Sequence, residues 1–156
     1  MKPVIGSPAP DFTAPVVGAP YQDGELVTLA ALRGRPVVLI FYPKDSTPGC
    51  TIQACAVRDG WADLKEKALI FGVSADSVKS HRKFIDKYEL PYPLLADVEK
   101  KIVEAYGVWV EKSMMGKKYM GIERSTFVID EDGLVKAVLE KVSPASHLEM
   151  LHAALA

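Results

Sequence analysis

Pro36-Val37-Val38-Leu39-Ile40-Phe41-Tyr42-Pro43 is a continuous apolar run with a proline at each end. Lys44-Asp45-Ser46-Thr47-Pro48-Gly49-Cys50 follows it directly. A short unbroken apolar run reads as a central strand buried on both faces, as in a parallel sheet covered by helices. The residues after it read as a helix start. Thr47 suits the N-cap, and Pro48 suits the first helical position, where a missing N–H costs nothing. A helix is predicted from Pro48 to about Lys67, with Ala54, Val57, Trp61, Leu64 and Ala68 on its inward face. Cys50 therefore stands in the first turn of a helix, just beyond the carboxyl end of a central strand.

Working outward, Asp11–Pro15 and Glu25–Leu29 flank a turn-rich stretch containing Asp23-Gly24, which predicts an N-terminal β-hairpin. Ile70–Val73 reads as a strand, Val78–Tyr88 as a helix, Pro93–Ala96 as a short strand and Val98–Tyr106 as a helix. Asp132-Gly133 between Arg124–Asp130 and Leu134–Leu139 is a hairpin signal. A last helix is expected to start at Ser143-Pro144, with Leu148, Leu151 and Leu155 as its apolar stripe. This order predicts an α/β fold, a central sheet with helices on both faces and its site at the carboxyl ends of the parallel strands.

The chain has 156 residues, 49% hydrophobic and 25% charged, which suits one domain spanning 1–156 with a real core. A net charge of −1 gives no basic excess for nucleic acid or an anionic membrane. Lys117-Lys118 reads as solvated surface. No apolar stretch has the length of a membrane span, and Met1–Gly6 shows no signal-peptide core, so a cytoplasmic protein is expected.

Cys50 and Cys55 are the only cysteines. A buried small hydrophobe is the ordinary fate of a cysteine. The first turn of a helix instead offers unpaired N–H groups and the positive dipole end, which favour a thiolate. Metal binding lacks ligands: iron–sulfur sites need four cysteines, and zinc needs two more groups. His81, His147 and His152 are expected on helix surfaces. Cys-x4-Cys is also not the Cys-x-x-Cys of thioredoxin. On an intact helix, residues five apart have Cα atoms roughly 8.7 Å apart, beyond the ~7 Å limit of a disulfide. If the two cysteines bond, the start of the helix must unwind.

At these residues the sequence resembles the peroxiredoxins, in particular their bacterioferritin comigratory protein (peroxiredoxin Q) subfamily. Pro43, Thr47 and Cys50 match the pattern Pro-x3-Thr-x2-Cys. Phe41–Asp45, Thr47–Thr51 and Cys55 match the subfamily's longer form. Tyr106–Trp109, Met115–Lys117, Tyr119, Gly121-Ile122 and Arg124–Asp130 extend the match over nearly the whole chain. The resemblance implies a thioredoxin-like fold, with a central mixed sheet flanked by helices and an N-terminal β-hairpin. It also implies a thiol-dependent peroxidase with Cys50 as the peroxidatic cysteine and Cys55 as the resolving one. Pro43, Thr47 and Arg124 complete the implied site. Peroxides are the implied substrates, thioredoxin or glutaredoxin the reductant, and a monomer, or at most a weak dimer, the assembly. No metal, haem or flavin is required. Thr47 can serve as cap and peroxide ligand at once, while Trp109 and Tyr42 are expected to pack. A peroxide sensor or a binding module on the same fold would use the same cysteines. Catalytic turnover separates these from an enzyme.

Overall fold

The computed structural model describes all residues from Met1 to Ala156. The strands are β1 (Thr13–Val17), β2 (Glu25–Thr28), β3 (Val37–Phe41), β4 (Leu69–Ser74), β5 (Leu94–Ala96), β6 (Trp109–Met114), β7 (Lys117–Ile122), β8 (Ser125–Ile129) and β9 (Val135–Leu139). The helices are α1 (Pro48–Asp59), α2 (Trp61–Lys67), α3 (Val78–Tyr88), α4 (Lys101–Ala105) and α5 (His147–Leu155). Seven strands form one sheet in the order β2-β1-β5-β4-β3-β8-β9. Strands β3, β4 and β5 are parallel, and β1, β2, β8 and β9 join antiparallel. This is the thioredoxin-like mixed sheet, with the N-terminal hairpin at one edge.

The apolar run owes its continuity to its place in the sheet. Every residue of β3 is buried. Val37, Leu39 and Phe41 point into a core with Tyr106, Ile102 and Phe127. Val38, Ile40 and Tyr42 point into a second core with Val57, Leu64, Phe84 and Leu151. Helices α1, α2, α3 and α5 cover that second face, and α4 covers the first. Each face is sealed, so neither set of side chains can be polar. No helix of the chain is long and apolar enough to cross a membrane.

Two local expectations need correction, and one element lies outside them. The helix expected from Pro48 to Lys67 is two segments meeting at Gly60, whose φ of −93° and ψ of 8° end α1. A Cβ at Gly60 would sit 3.2 Å from Leu148 Cδ1, so the joint is where α5 packs closely. Ser143-Pro144 does not begin α5. Ser146 is its N-cap, and the Ser143 carbonyl accepts from the N–H groups of Ser146 and His147 in a preceding turn. The β6–β7 ribbon was not foreseen. It turns through Met115 and Gly116, both with positive φ, as a two-residue hairpin requires. It stands apart from the main sheet with mostly exposed residues, so it carries no alternating apolar signal.

Candidate active site

The site is assembled at the carboxyl end of β3. The residues after Phe41 turn through Ser46, at φ 62°, into Thr47 and α1. Thr51 N–H donates to the Thr47 carbonyl at 2.9 Å, the first turn of the helix. The N–H groups of Gly49 and Cys50 have no carbonyl one turn back within the helix, so they are free for an anion or a polar oxygen. Cys50 is 2% exposed and packs with Val57, Tyr42 and Phe84 on the inward side of α1.

Arg124 reaches this cysteine because of strand register. β8 runs antiparallel to β3 with Ser125 opposite Phe41, so the residue before Ser125 stands at the end of β3. Arg124 Nη1 donates to Cys50 Sγ at 3.4 Å and to Gln53 Oε1 at 2.7 Å. The guanidinium lies over the helix start: a Cβ on Gly49 would stand 3.2 Å from Nη2. A fork that is always charged thus faces the sulfur and the first free N–H groups together.

Thr47 is half-buried beside this turn, and its hydroxyl donates to the Lys44 carbonyl at 2.9 Å rather than capping α1. Its oxygen lone pairs remain to accept a hydrogen bond from a ligand O–H. Pro43 is half-buried and lines a cleft of about 310 Å³ with Trp109, Lys112, Tyr119 and Met120. The structure therefore brings Cys50, Arg124 and Gln53 into direct contact and sets Thr47 and Pro43 on the loop that leads to them.

Cys55 is half-buried further along α1, and both cysteines are thiols. The helix is continuous from Pro48 to Asp59, so the two lie five residues apart on intact helix. At 1.5 Å rise and 100° per residue, their Cα atoms are roughly 8.7 Å apart, too far to bridge.

Two groups escaped the sequence. Gln53 is 3% exposed and holds Arg124 through Oε1, while its Nε2 has no partner. Its only signal was a polar residue one turn after Cys50 on an inward face. Lys112 of β6 is a second cation at the site. Burial and neighbouring Arg124 push its pKa down, and Cys50 pulls it up. It lies on the ribbon that the sequence did not reveal.

Two histidines expected at the surface are core residues. His81 has no exposed area, and His147 is 1% exposed. His147 Nε2 and Thr126 Oγ1 are 2.7 Å apart, and Nδ1 has no partner. Burial, then the charge of Arg124, lowers the His147 pKa to about 4. It is neutral in the fold at pH 7, and between about pH 6.5 and pH 4 it gains a proton only when the chain unfolds. The unfolded chain then binds the extra proton, so stability falls as pH drops from the unfolded value of about 6.5 toward 4. The loss at the lower end is roughly 3 kcal/mol. In urea unfolding at pH 7 and pH 4.5, His147→Gln should show a shallower pH dependence than the wild type. Equal pH dependence would remove His147 as its source.

A thiol in the first turn of a helix, under an arginine and on a thioredoxin-like sheet, defines a cysteine-based redox enzyme. Residues 5–138 match the AhpC/TSA family. A putative peroxiredoxin bcp of Coxiella burnetii is 48% identical over 92% of this chain and 93% of its own. Peroxiredoxin Bcp of Bacillus subtilis is 46% identical over 92% and 89%. A Xanthomonas campestris bacterioferritin comigratory protein, solved in a study of its alkyl peroxide reduction, superposes with a TM-score of 0.84. It shares 39% identity over 92% of this chain and 89% of that one. The chain belongs to the peroxiredoxins of the AhpC/TSA family, and it is a peroxidase.

Proposed function

We propose that this chain reduces hydrogen peroxide and organic hydroperoxides through Cys50, resolves the product with Cys55, and is recycled by a thioredoxin. The observation that carries the proposal is the Arg124 guanidinium 3.4 Å from Cys50 Sγ at the free N–H end of α1. That arrangement suits attack by a thiolate on a peroxide. The sulfur bonds to one oxygen as the O–O bond breaks, and the other oxygen leaves with the bonding pair. The departing oxygen takes a proton and becomes water or an alcohol. Cys50 is left as a sulfenic acid.

Charge moves from sulfur to the departing oxygen during this step. Arg124 and the N–H groups of Gly49 and Cys50 are aimed at both ends of that motion, the arrangement expected of preorganised electrostatic stabilisation. Thr47 accepts from the peroxide O–H, and Pro43 limits the water around the sulfur. The Cys55 sulfur then attacks the sulfenic sulfur, water leaves and the disulfide forms. The first turns of α1 must unwind for this step, because the intact helix holds the residues apart. A thioredoxin dithiol reduces the disulfide by exchange and is itself oxidised. Glutaredoxin would act through the same exchange. The proposal includes action as a monomer in the cytosol, where such dithiols are kept reduced.

Cys55→Ser tests the resolving step. Cys50 of this variant should consume one equivalent of peroxide at the wild-type rate, and mass spectrometry should find the sulfenic acid. Multiple turnover with thioredoxin, thioredoxin reductase and NADPH should fall by at least about 100-fold, because no internal thiol can attack the sulfenic sulfur. Wild-type cycling by Cys55→Ser would show that an external thiol resolves Cys50 directly. Stoichiometric consumption by the wild-type chain would favour a sensor.

A further inference from the structure

The loop that delivers Cys50 is also tied down by a buried acid–imidazole pair that makes no hydrogen bond to Arg124. Asp45 is 7% exposed and His81 is fully buried. Asp45 Oδ1 accepts from the Tyr42 hydroxyl at 2.6 Å. Asp45 Oδ2 accepts from the Ser80 hydroxyl at 2.8 Å and lies 2.7 Å from His81 Nδ1. His81 Nε2 donates at 2.9 Å to the Leu95 carbonyl, which can only accept. A proton therefore lies between Nδ1 and Oδ2, whichever atom carries it. The Asp45 backbone N–H donates to Asp76 Oδ2, which also accepts from the Ser74 hydroxyl. One loop residue is thus fastened to the ends of β4 and β5 and to the first turns of α3.

The residue it anchors is followed by the strained one. Ser46 holds a left-handed φ of 62°, which costs a non-glycine residue about 1–2 kcal/mol and persists because the surroundings impose it. Thr47 and α1 follow at once. None of the groups in the cluster belongs to α1, so the clamp can persist while the helix start unwinds. Arg124 holds the start of α1 through both Cys50 and Gln53, and it loses Cys50 when that residue leaves.

We infer that the Asp45–His81 pair is the positioning device of the Cys50 loop. By fixing Asp45 and Ser46 it biases the start of α1 toward the helical form that reacts with peroxide and against the unwound form that makes the disulfide. His81 is a positioning residue acting through Asp45. The inference rests on the roles proposed for Cys50 and Cys55. It needs no added cofactor or charge, only a two-state helix start whose balance the clamp sets.

The test compares His81→Gln with His81→Asn. Glutamine can still reach the Leu95 carbonyl but does not present a donor at the Nδ1 position. Asparagine presents an amide there toward Asp45. Two rates are read by stopped flow and mass spectrometry. One is Cys50 oxidation by one equivalent of peroxide, measured in a Cys55→Ser background. The other is disulfide formation from the sulfenic acid. Hydrogen exchange of the Thr51–Ala54 amides and of β3 is measured alongside.

For His81→Gln, oxidation should slow by about tenfold, disulfide formation should hold or quicken, and exchange at Thr51–Ala54 should rise by about tenfold with β3 unchanged. His81→Asn should recover most of the oxidation rate. A parallel fall of both rates with faster exchange in β3 would mean general loss of stability and overturn the inference. Wild-type rates and exchange in His81→Gln would overturn it too. If His81→Gln does not fold, Tyr42→Phe and Ser80→Ala each remove one donor to Asp45 and should move the same readouts in the same direction. Wild-type behaviour in both would refute the clamp. The exchange readout does not depend on disulfide chemistry. Its expected change without any Cys50–Cys55 disulfide in the wild type would uphold the clamp and refute the resolving role.

Discussion

Cys50→Ser is expected to remove peroxide turnover altogether, a loss of at least about 1,000-fold, because a serine hydroxyl is a weak nucleophile without an adjacent base. The groups bonded to or packed with Cys50 supply no such base: Arg124 only donates, Val57 and Phe84 are apolar, and the Tyr42 hydroxyl is committed to Asp45. Serine differs from cysteine only by oxygen for sulfur, and Arg124 can donate to its hydroxyl, so the variant should fold with a loss of about 1–2 kcal/mol. The measurement is peroxide consumption coupled to thioredoxin, thioredoxin reductase and NADPH, with circular dichroism as the control for folding. Retained turnover by a folded Cys50→Ser would transfer the nucleophile's role to Cys55 and dismantle the proposed cycle.

Arg124→Met should cost about 100- to 1,000-fold in the rate of Cys50 oxidation, the range seen when one preorganised donor at developing charge is removed. Methionine keeps much of the arginine's length, and the backbone contact from Val142 N–H to the residue 124 carbonyl is untouched. The side-chain loss is threefold: the donor to Cys50, the positive charge over the helix start, and the partner of Gln53. Gln53, buried and already unpartnered at Nε2, would then be unpaired at both ends of its amide. That adds about 1–3 kcal/mol of instability. Arg124→Lys restores a charge but not the fork that holds sulfur and Gln53 together, so recovery should be partial. Single-turnover oxidation separates these effects from recycling. A wild-type rate in Arg124→Met would leave the helix start alone as the activating element.

The Pro36–Pro43 run was legible because β3 lies between two sealed cores, which leaves no polar position in it. Helix α3 keeps the expected ends, Val78 and Tyr88, and at its start the Ser77 hydroxyl oxygen accepts from Ser80 N–H. The β6–β7 ribbon failed for the opposite reason: with little buried surface, its pattern has no period to detect. Gly60 was read as a position inside a helix, because whether glycine ends one depends on what packs there, and Leu148 comes from the far end of the chain. The histidines were misplaced because imidazole is neither decisively apolar nor decisively charged. His81 is inside because Asp45 is there to meet it, and His147 because Thr126 is.

By itself the sequence determined the central strand, the turn beyond it and the helix that begins just before Cys50. Those features are local, set by apolar continuity, by proline at the first helical position and by the backbone groups that every helix start leaves free. The resemblance named Arg124, and tertiary structure decided how it meets the sulfur. Arg124 arrives from 74 positions away because antiparallel pairing sets Ser125 opposite Phe41, and His81 reaches Asp45 across 36. Strand register and helix packing decide such meetings, and both are properties of the whole folded chain. They turn a cysteine at a helix start into one held between a cation and a buried clamp.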